Sequence, residues 1–277
     1  MALTDLNTLR PLLERHGFSF SKGLGQNFLI NAAVPRRIAE GAAGNVLEIG
    51  PGAGCLTYEL CSRAEKVVAV ELDGRLLPVL EESLSEFSNL TVINADILKT
   101  DLFSLFDGRY SVYANLPYYI TTPVIMYLLE SGAPIDSITV MVQKEVAERF
   151  AAKPGDPDYG AITASIGYYA KIERLFSVPA GNFLPRPKVD SAVIRLTRIP
   201  PPVPVGDEKI LFRVIRAAFA MRRKTLVNNL KQEFSLSKEE GEKLLETLGL
   251  EKTVRGERLA LADYAKIADE ITKRKEE

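Results

Sequence analysis

The residues able to do chemistry begin at a run of alternating glycines, Val46-Leu47-Glu48-Ile49-Gly50-Pro51-Gly52-Ala53-Gly54-Cys55-Leu56. Glycine is used where a backbone must turn sharply or come close to a ligand, because it has no Cβ to clash. A short apolar strand, a glycine-rich turn and a helix make a nucleotide-type site at the carboxyl edge of a parallel sheet. The dinucleotide fingerprint would need glycine at position 55, where this chain has Cys55. Glu48, just before the first glycine, repels a pyrophosphate and suits a ligand with positive charge. The pattern E-x-G-x-G-x-G therefore points to S-adenosylmethionine, with its sulfonium and α-ammonium, over NAD. Taken alone, the run also fits a tight strand–helix turn that binds nothing.

Two more acids stand at the ends of apolar runs. Glu71 closes Val67-Val68-Ala69-Val70, and Asp96 follows Thr91-Val92-Ile93-Asn94-Ala95. One carboxylate can accept from both ribose hydroxyls, which suits Glu71. Asp96 suits the exocyclic amine of an adenine ring. Either could be a solvated strand-end acid; together and in register with the glycines they favour a ligand.

Asn115-Leu116-Pro117-Tyr118 follows the apolar run Ser111 to Ala114. The amino group of adenine is a poor nucleophile because its lone pair is delocalised into the ring. The Asn115 side-chain carbonyl and the Leu116 backbone carbonyl can each accept one of its N–H bonds. Such fixed dipoles stabilise the positive charge that develops as a methyl group arrives. Pro117 fixes the chain so that the Leu116 carbonyl points at the site. Tyr118 offers a flat face for the base, with a cation–π benefit in the transition state. Phe183, ahead of Pro185-Arg186-Pro187, reads equally as a second aromatic wall or as a hydrophobic plug under its loop.

The elements that must position these residues alternate strand and helix over 45–143. Strands are expected at 45–49, 66–71, 90–94, 110–114 and 137–142, each short and apolar as buried parallel strands are. An amphipathic helix (Leu6, Leu9, Leu12, Leu13) precedes a glycine- and amide-rich loop over 22–31, and a helix follows over 32–43. That loop holds Gln26, Asn27 and Leu29, and reads either as a polar-facing loop or as a surface turn. Further on, 143–149 opens a helix, 153–160 is a loop, and 168–176 and 191–198 read as strands, all continuing the same domain. The linker Ile199 to Gly206 then leads to helical patterns at 208–220, 224–234, 237–248 and 262–275. From Lys209 to Lys231 there are seven basic residues and no acid, a phosphate-facing surface in an otherwise neutral chain.

Composition narrows the classes further. The 277 residues carry 46% hydrophobic and 26% charged residues and a net charge of −1, ordinary for a globular protein and unlike a nucleic-acid coat protein. His16 is the single histidine, and Cys55 and Cys61 are the two cysteines, so neither a His/Cys zinc site nor a Ser-His-Asp mechanism is expected. The same count gives no disulfide framework. Without an apolar run of bilayer length or a secretory leader, the reading is a cytoplasmic protein with no membrane partner.

In this order, Gly25 to Leu29, Glu48 to Gly54, Glu71-Leu72-Asp73, Asn115 to Tyr118, Gln143 to Val146, Phe183 with Pro185 to Val193, and Arg222 to Leu226 resemble the KsgA (RsmA) family of small-subunit ribosomal RNA adenine N6,N6-dimethyltransferases. The resemblance covers nearly the whole chain. It implies an α/β fold with a Rossmann-like class I S-adenosylmethionine-dependent methyltransferase sheet, helices on both faces, and a small all-α C-terminal domain. It implies a catalytic domain over 1–203, with 1–31 as N-terminal helix and cofactor loop, and a helical rRNA-binding domain over 204–277. The implied cofactor site comprises Gln26, Asn27, Leu29, Glu48, Gly50, Gly52, Gly54, Glu71, Leu72, Asp96, Ile97 and Asn115, with no metal. Asn115, Leu116, Pro117, Tyr118 and Phe183 would hold the target base. Arg186, Lys188, Arg222, Arg223 and Lys224 would meet RNA. The implied substrate is a pair of adjacent adenosines in the 3′-terminal hairpin loop of 16S rRNA, modified by a monomer on the 30S subunit.

The rivals are the related Erm group, which methylates large-subunit rRNA, DNA adenine methyltransferases, which usually carry Pro at the place of Leu116, and an assembly or transcription-factor-B-like binding factor. The tail and the run Pro185 to Val193 fit KsgA better than Erm. A binding factor could lose Glu71 or Asn115 without penalty, and this chain keeps both.

Overall fold

Runs of Val, Ile and Ala bounded by turn residues form the strands. In chain order they are β1 (Phe28–Leu29), β2 (Asn45–Ile49), β3 (Lys66–Glu71), β4 (Leu90–Asn94), β5 (Tyr110–Asn115), β6 (Ile135–Gln143), β7 (Ala170–Val178), β8 (Phe183–Leu184) and β9 (Ser191–Arg198). The structure, a computed structural model, describes residues 2–19 and 25–276, so Lys22, Gly23 and Leu24 of the expected loop lie outside the described residues. Seven strands form one sheet in the order β4-β3-β2-β5-β6-β9-β7. From β4 to β6 the neighbours are parallel, and β9 runs antiparallel to β6. The chain builds outward from β2 through β3 to β4, then returns to lay β5 on the other side of β2. That reversal opens a crevice at the carboxyl ends of β2 and β5, where open α/β sheets bind ligands.

Val46, Leu47, Glu48 and Ile49 of β2 are all buried, as a strand covered on both faces requires. Helices α1 (Leu6–Arg15), α2 (Ala33–Ile38), α3 (Cys55–Cys61), α4 (Leu77–Ser83) and α5 (Thr121–Glu130) accompany the sheet. Ile38 of α2 and Leu56 and Leu60 of α3 join Val46, Val67, Tyr113 and Val193 in one apolar cluster. Leu9, Leu12 and Leu13 of α1 meet Val79 and Leu80 of α4 in a second. The helix expected over 32–43 is shorter, ending at Ile38 and tightening into a 3₁₀ turn.

Two compact units result, Met1–Ala147 with Ile172–Arg198 and Glu148–Lys171 with Ile199–Glu277. The second holds α7 (Ala161–Tyr169), which follows α6 (Lys144–Phe150), and then α8 (Glu208–Ala220), α9 (Leu226–Phe234), α10 (Lys238–Thr247) and α11 (Leu261–Glu276). Residues 148–171 thus pack with the tail, whereas the sequence reads as one catalytic stretch up to residue 203. Side chains explain the difference. Tyr168 is buried among Leu211, Val214 and Ile215, its hydroxyl donates to Glu208 at 2.9 Å, and Tyr169 stacks on Phe212. These contacts also hold Tyr168 and Tyr169 in α7, so the strand expected from 168 starts at Ala170. Gln143, expected to open a helix, instead ends β6 and pairs with Ser191. Among the described residues no helix is long and apolar enough to cross a membrane.

Candidate active site

The turn after β2 sets the floor of a cleft of about 1090 Å³, its open mouth included. Gly50, at φ +68°, donates its N–H to the Val70 carbonyl at 2.9 Å, and a Cβ there would meet nothing within 4 Å. Gly52, at φ +61°, lies under the Phe28 ring, 3.1 Å from where its Cβ would be. Both line the cleft. Gly54 does not, contrary to its expected cofactor contact. At φ +88° its missing side chain makes room for Leu84 and Leu80, 3.0 and 3.3 Å from an added Cβ, so it is a packing glycine.

The structure gathers Gln26, Asn27, Leu29, Glu48, Gly50, Gly52, Glu71, Leu72, Asp96, Ile97, Asn115, Leu116, Pro117, Tyr118 and Phe183 around this cleft. Glu48 is 1% exposed, and its Oε2 has no hydrogen-bond partner among the described residues. Burial raises its pKa to about 8, the neighbouring Thr57 hydroxyl opposes this, and the Glu71 carboxylate adds to it. A buried carboxyl without a cationic partner is incomplete, and a cationic ligand would complete it. Glu71 accepts from the Gly52 N–H at 3.0 Å and the Asp73 N–H at 2.8 Å. Burial pushes its carboxyl up and these two bonds pull it down. Asp73 in turn accepts from Arg75, which holds its carboxyl below the usual range, and from Gln26 Nε2 at 2.8 Å. Asp96 caps the turn after β4 by accepting from the Leu98 N–H at 3.0 Å. Leu72 is 52% exposed at the cleft.

On the β5 side, Asn115 Nδ2 donates to the Asn27 carbonyl at 3.2 Å. Its Oδ1 and the Leu116 carbonyl accept no hydrogen bond among the described residues, which leaves two acceptors on adjacent residues. Pro117, at φ −54° and ψ 134°, turns the chain into the 3₁₀ segment Tyr118–Ile120. The Tyr118 hydroxyl bonds Ser191 Oγ at 2.8 Å, and burial pushes this phenol up. Phe183 is 3% exposed and belongs to the core, yet it lines the cleft. It pairs with Leu29 in the two-stranded sheet β1–β8, so the residue belongs both to the core and to the cleft lining.

The basic candidates stand on the surface of their own units. Arg186 and Lys188 are exposed in the loop after β8. Arg222, Arg223 and Lys224 are exposed in the turn between α8 and α9, where Arg222 Nη2 donates to the Pro157 carbonyl at 2.7 Å. The basic run is less one-sided in space than in sequence, because Arg213 pairs with Glu233 at 2.8 Å.

Sequence reasoning missed Thr57, Ser191 and Tyr119. Thr57 sits one helical turn into α3 with nothing in its spacing to mark it. Ser191 stands 73 residues from the tyrosine it holds. Tyr119 lines the cleft but was hidden behind its neighbour Tyr118.

Sheet order, crevice and clustered residues together define a Rossmann-like methyltransferase. A 23S rRNA methyltransferase, ErmE, shares the fold at TM-score 0.68 and 28% identity, over 88% of this chain and 99% of that one. A dimethyladenosine transferase from Plasmodium falciparum gives TM-score 0.75 and 27% identity, over 90% and 98%. The ribosomal RNA small subunit methyltransferase A of Geobacillus thermodenitrificans is 48% identical over 276 residues, 95% of this chain and 94% of that protein. The profile of the ribosomal RNA adenine dimethylases matches residues 17–273, and the chain belongs to that family. It is an rRNA adenine dimethyltransferase.

Proposed function

We propose that the chain dimethylates N6 of two adjacent adenosines in the 3′-terminal hairpin loop of 16S rRNA during small-subunit assembly, using S-adenosylmethionine. The observation that carries this reading is the pair of free acceptors, Asn115 Oδ1 and the Leu116 carbonyl, beside a cleft with a buried carboxyl whose Oε2 has no hydrogen-bond partner among the described residues. Two acceptors match the two N–H bonds of an adenine amine, and the carboxyl matches a cationic cofactor. The cofactor, when bound, supplies the electrophilic methyl group.

The protein's residues do the rest. Gly50 and Gly52 admit the cofactor close to the backbone, Glu71 receives the ribose hydroxyls, and Asp96 and Ile97 receive the adenine. Gln26, Asn27, Leu29 and Leu72 complete the enclosure, with Glu48 facing the positive end. Asn115 and Leu116 hold the target amine and favour a pyramidal nitrogen, while Tyr118 and Phe183 flank the ring. No strong base is required, because the methylated nitrogen is acidic until it loses its surplus proton. The sheet-bearing part performs catalysis. The helical tail, with Arg222, Arg223 and Lys224 and supported by Arg186 and Lys188, docks on the ribosomal particle in the cytoplasm as a monomer.

The small-subunit assignment is favoured over the large-subunit one by 48% identity to the former relative against 28% to the latter. The test offers the protein labelled S-adenosylmethionine with undermethylated 30S particles, large-subunit rRNA and duplex DNA, and maps label by nucleoside mass spectrometry. Dimethyladenosine confined to the 30S hairpin is the expected result. Label on large-subunit rRNA, or none with tight 30S binding, overturns it.

A further inference from the structure

One aromatic ring in the cleft has no part in the scheme above. Tyr119 lines the same cleft as Tyr118 yet is 57% exposed. Its hydroxyl makes no hydrogen bond among the described residues, so no polar contact explains its position. It sits in the 3₁₀ turn Tyr118–Ile120, fixed to the catalytic loop by one peptide bond. One side of the ring is backed by Gly25, where an added Cβ would lie 3.6 Å from Cδ1 and Cε1. Gly25 is in the left-handed region at φ +58°, so the backbone lies against the ring with no side chain between.

An enzyme that acts on a base must draw it out of its stack, and the bases on either side lose a stacking partner. A flat apolar surface at the rim replaces that partner, and base–aromatic stacking is a general way of holding unpaired RNA. We propose that Tyr119 is a nucleobase subsite, which stacks the base next to the target adenosine while Tyr118 faces the target itself. For a pair of adjacent adenosines, the partner waiting its turn is the occupant. This subsite rests on the functional reading above, and it makes Tyr119 a determinant of which RNA is accepted.

The test compares the full-length wild type with Tyr119→Ala and Tyr119→Phe on undermethylated 30S particles. KM for the particle, Kd for S-adenosylmethionine and Tm are measured for each. Tyr119→Ala should raise KM roughly ten-fold, as expected when a base loses its aromatic platform. Cofactor Kd and Tm should stay at wild-type values, and Tyr119→Phe should restore KM because the ring is retained. An unchanged KM in Tyr119→Ala overturns the subsite. So does a Phe variant as impaired as the Ala variant, which would assign the effect to the hydroxyl, or a loss of cofactor affinity or Tm, which would make the ring a prop for the Gly25 loop. A wild type that methylates no RNA overturns the functional reading instead.

Discussion

Asn115 Nδ2 donates to the backbone carbonyl of Asn27 at 3.2 Å, across 88 residues of sequence. The bond uses the amide's donor end, and its Oδ1 accepts no hydrogen bond among the described residues. It also joins the end of β5 to the N-terminal segment, whose next residues, Phe28 and Leu29, form β1. Asn27 Nδ2 itself donates to the Gly25 carbonyl at 2.9 Å, which holds that segment in shape. The Asn115 amide is thus held by a partner outside its own loop.

The proposed contact of Glu48 with the cofactor's positive end would make cofactor binding proton-linked. Burial raises the Glu48 pKa to about 8, so with no cation beside it the carboxyl is mostly protonated at pH 7. A cationic ligand favours the carboxylate, so binding must release a proton. Affinity should rise as pH rises toward 8. Titration calorimetry at pH 7 in buffers of different ionisation enthalpy should find nearly one proton released per S-adenosylmethionine bound, and close to none for Glu48→Gln. Equal release by both proteins would remove Glu48 from this role.

The proposed role of Tyr118 against the target base depends on a ring whose hydroxyl is tied to Ser191. Ser191 is fully buried at the start of β9, so Ser191→Ala should lower kcat/KM by the worth of one hydrogen bond, about 1 kcal/mol. Tyr118→Phe should cost about the same, and the double variant no more than either single one. Additive losses would show that the two residues act separately.

Gly54→Ala should destabilise the fold by about 1–3 kcal/mol, from left-handed backbone strain and the close approach of Leu84. Cofactor affinity should stay within a few-fold, since Gly54 faces helix α4 and not the cleft. Denaturant titration and calorimetry separate the two effects; a stable variant that fails to bind would return Gly54 to the cofactor site.

What the sequence made legible was local. Each parallel strand is a short run rich in Val, Ile, Leu or Ala, and the acids and glycines near their ends keep their order, so the strands and most of the cleft lining could be read directly. Long-range pairings were not legible. The β1–β8 ribbon is two residues on each side, too short to show a period, yet it brings Leu29 opposite Phe183. Gly54 carries the same spacing signal as Gly50 and Gly52, and only the packing of Leu84 separates their jobs. Tyr168 and Tyr169 suit a strand by propensity, and burial against α8 overrides it.

Replacing Arg222, Arg223 and Lys224 by neutral residues should weaken RNA binding and flatten its salt dependence, by roughly one unit of slope for each phosphate that is no longer neutralised. All three are exposed, so the fold should persist. Affinity measured across a salt series checks this; an unchanged slope would mean that the basic turn faces away from RNA.

The role of Asn115 is tested most directly by single-turnover methylation with Asn115→Ala on undermethylated 30S particles, with S-adenosylmethionine saturating and its Kd measured separately. Removing one fixed acceptor from the reacting amine should slow transfer by about 10²-fold or more while cofactor binding changes only a few-fold. Transfer at the wild-type rate would contradict the assignment of Asn115 to the target adenine.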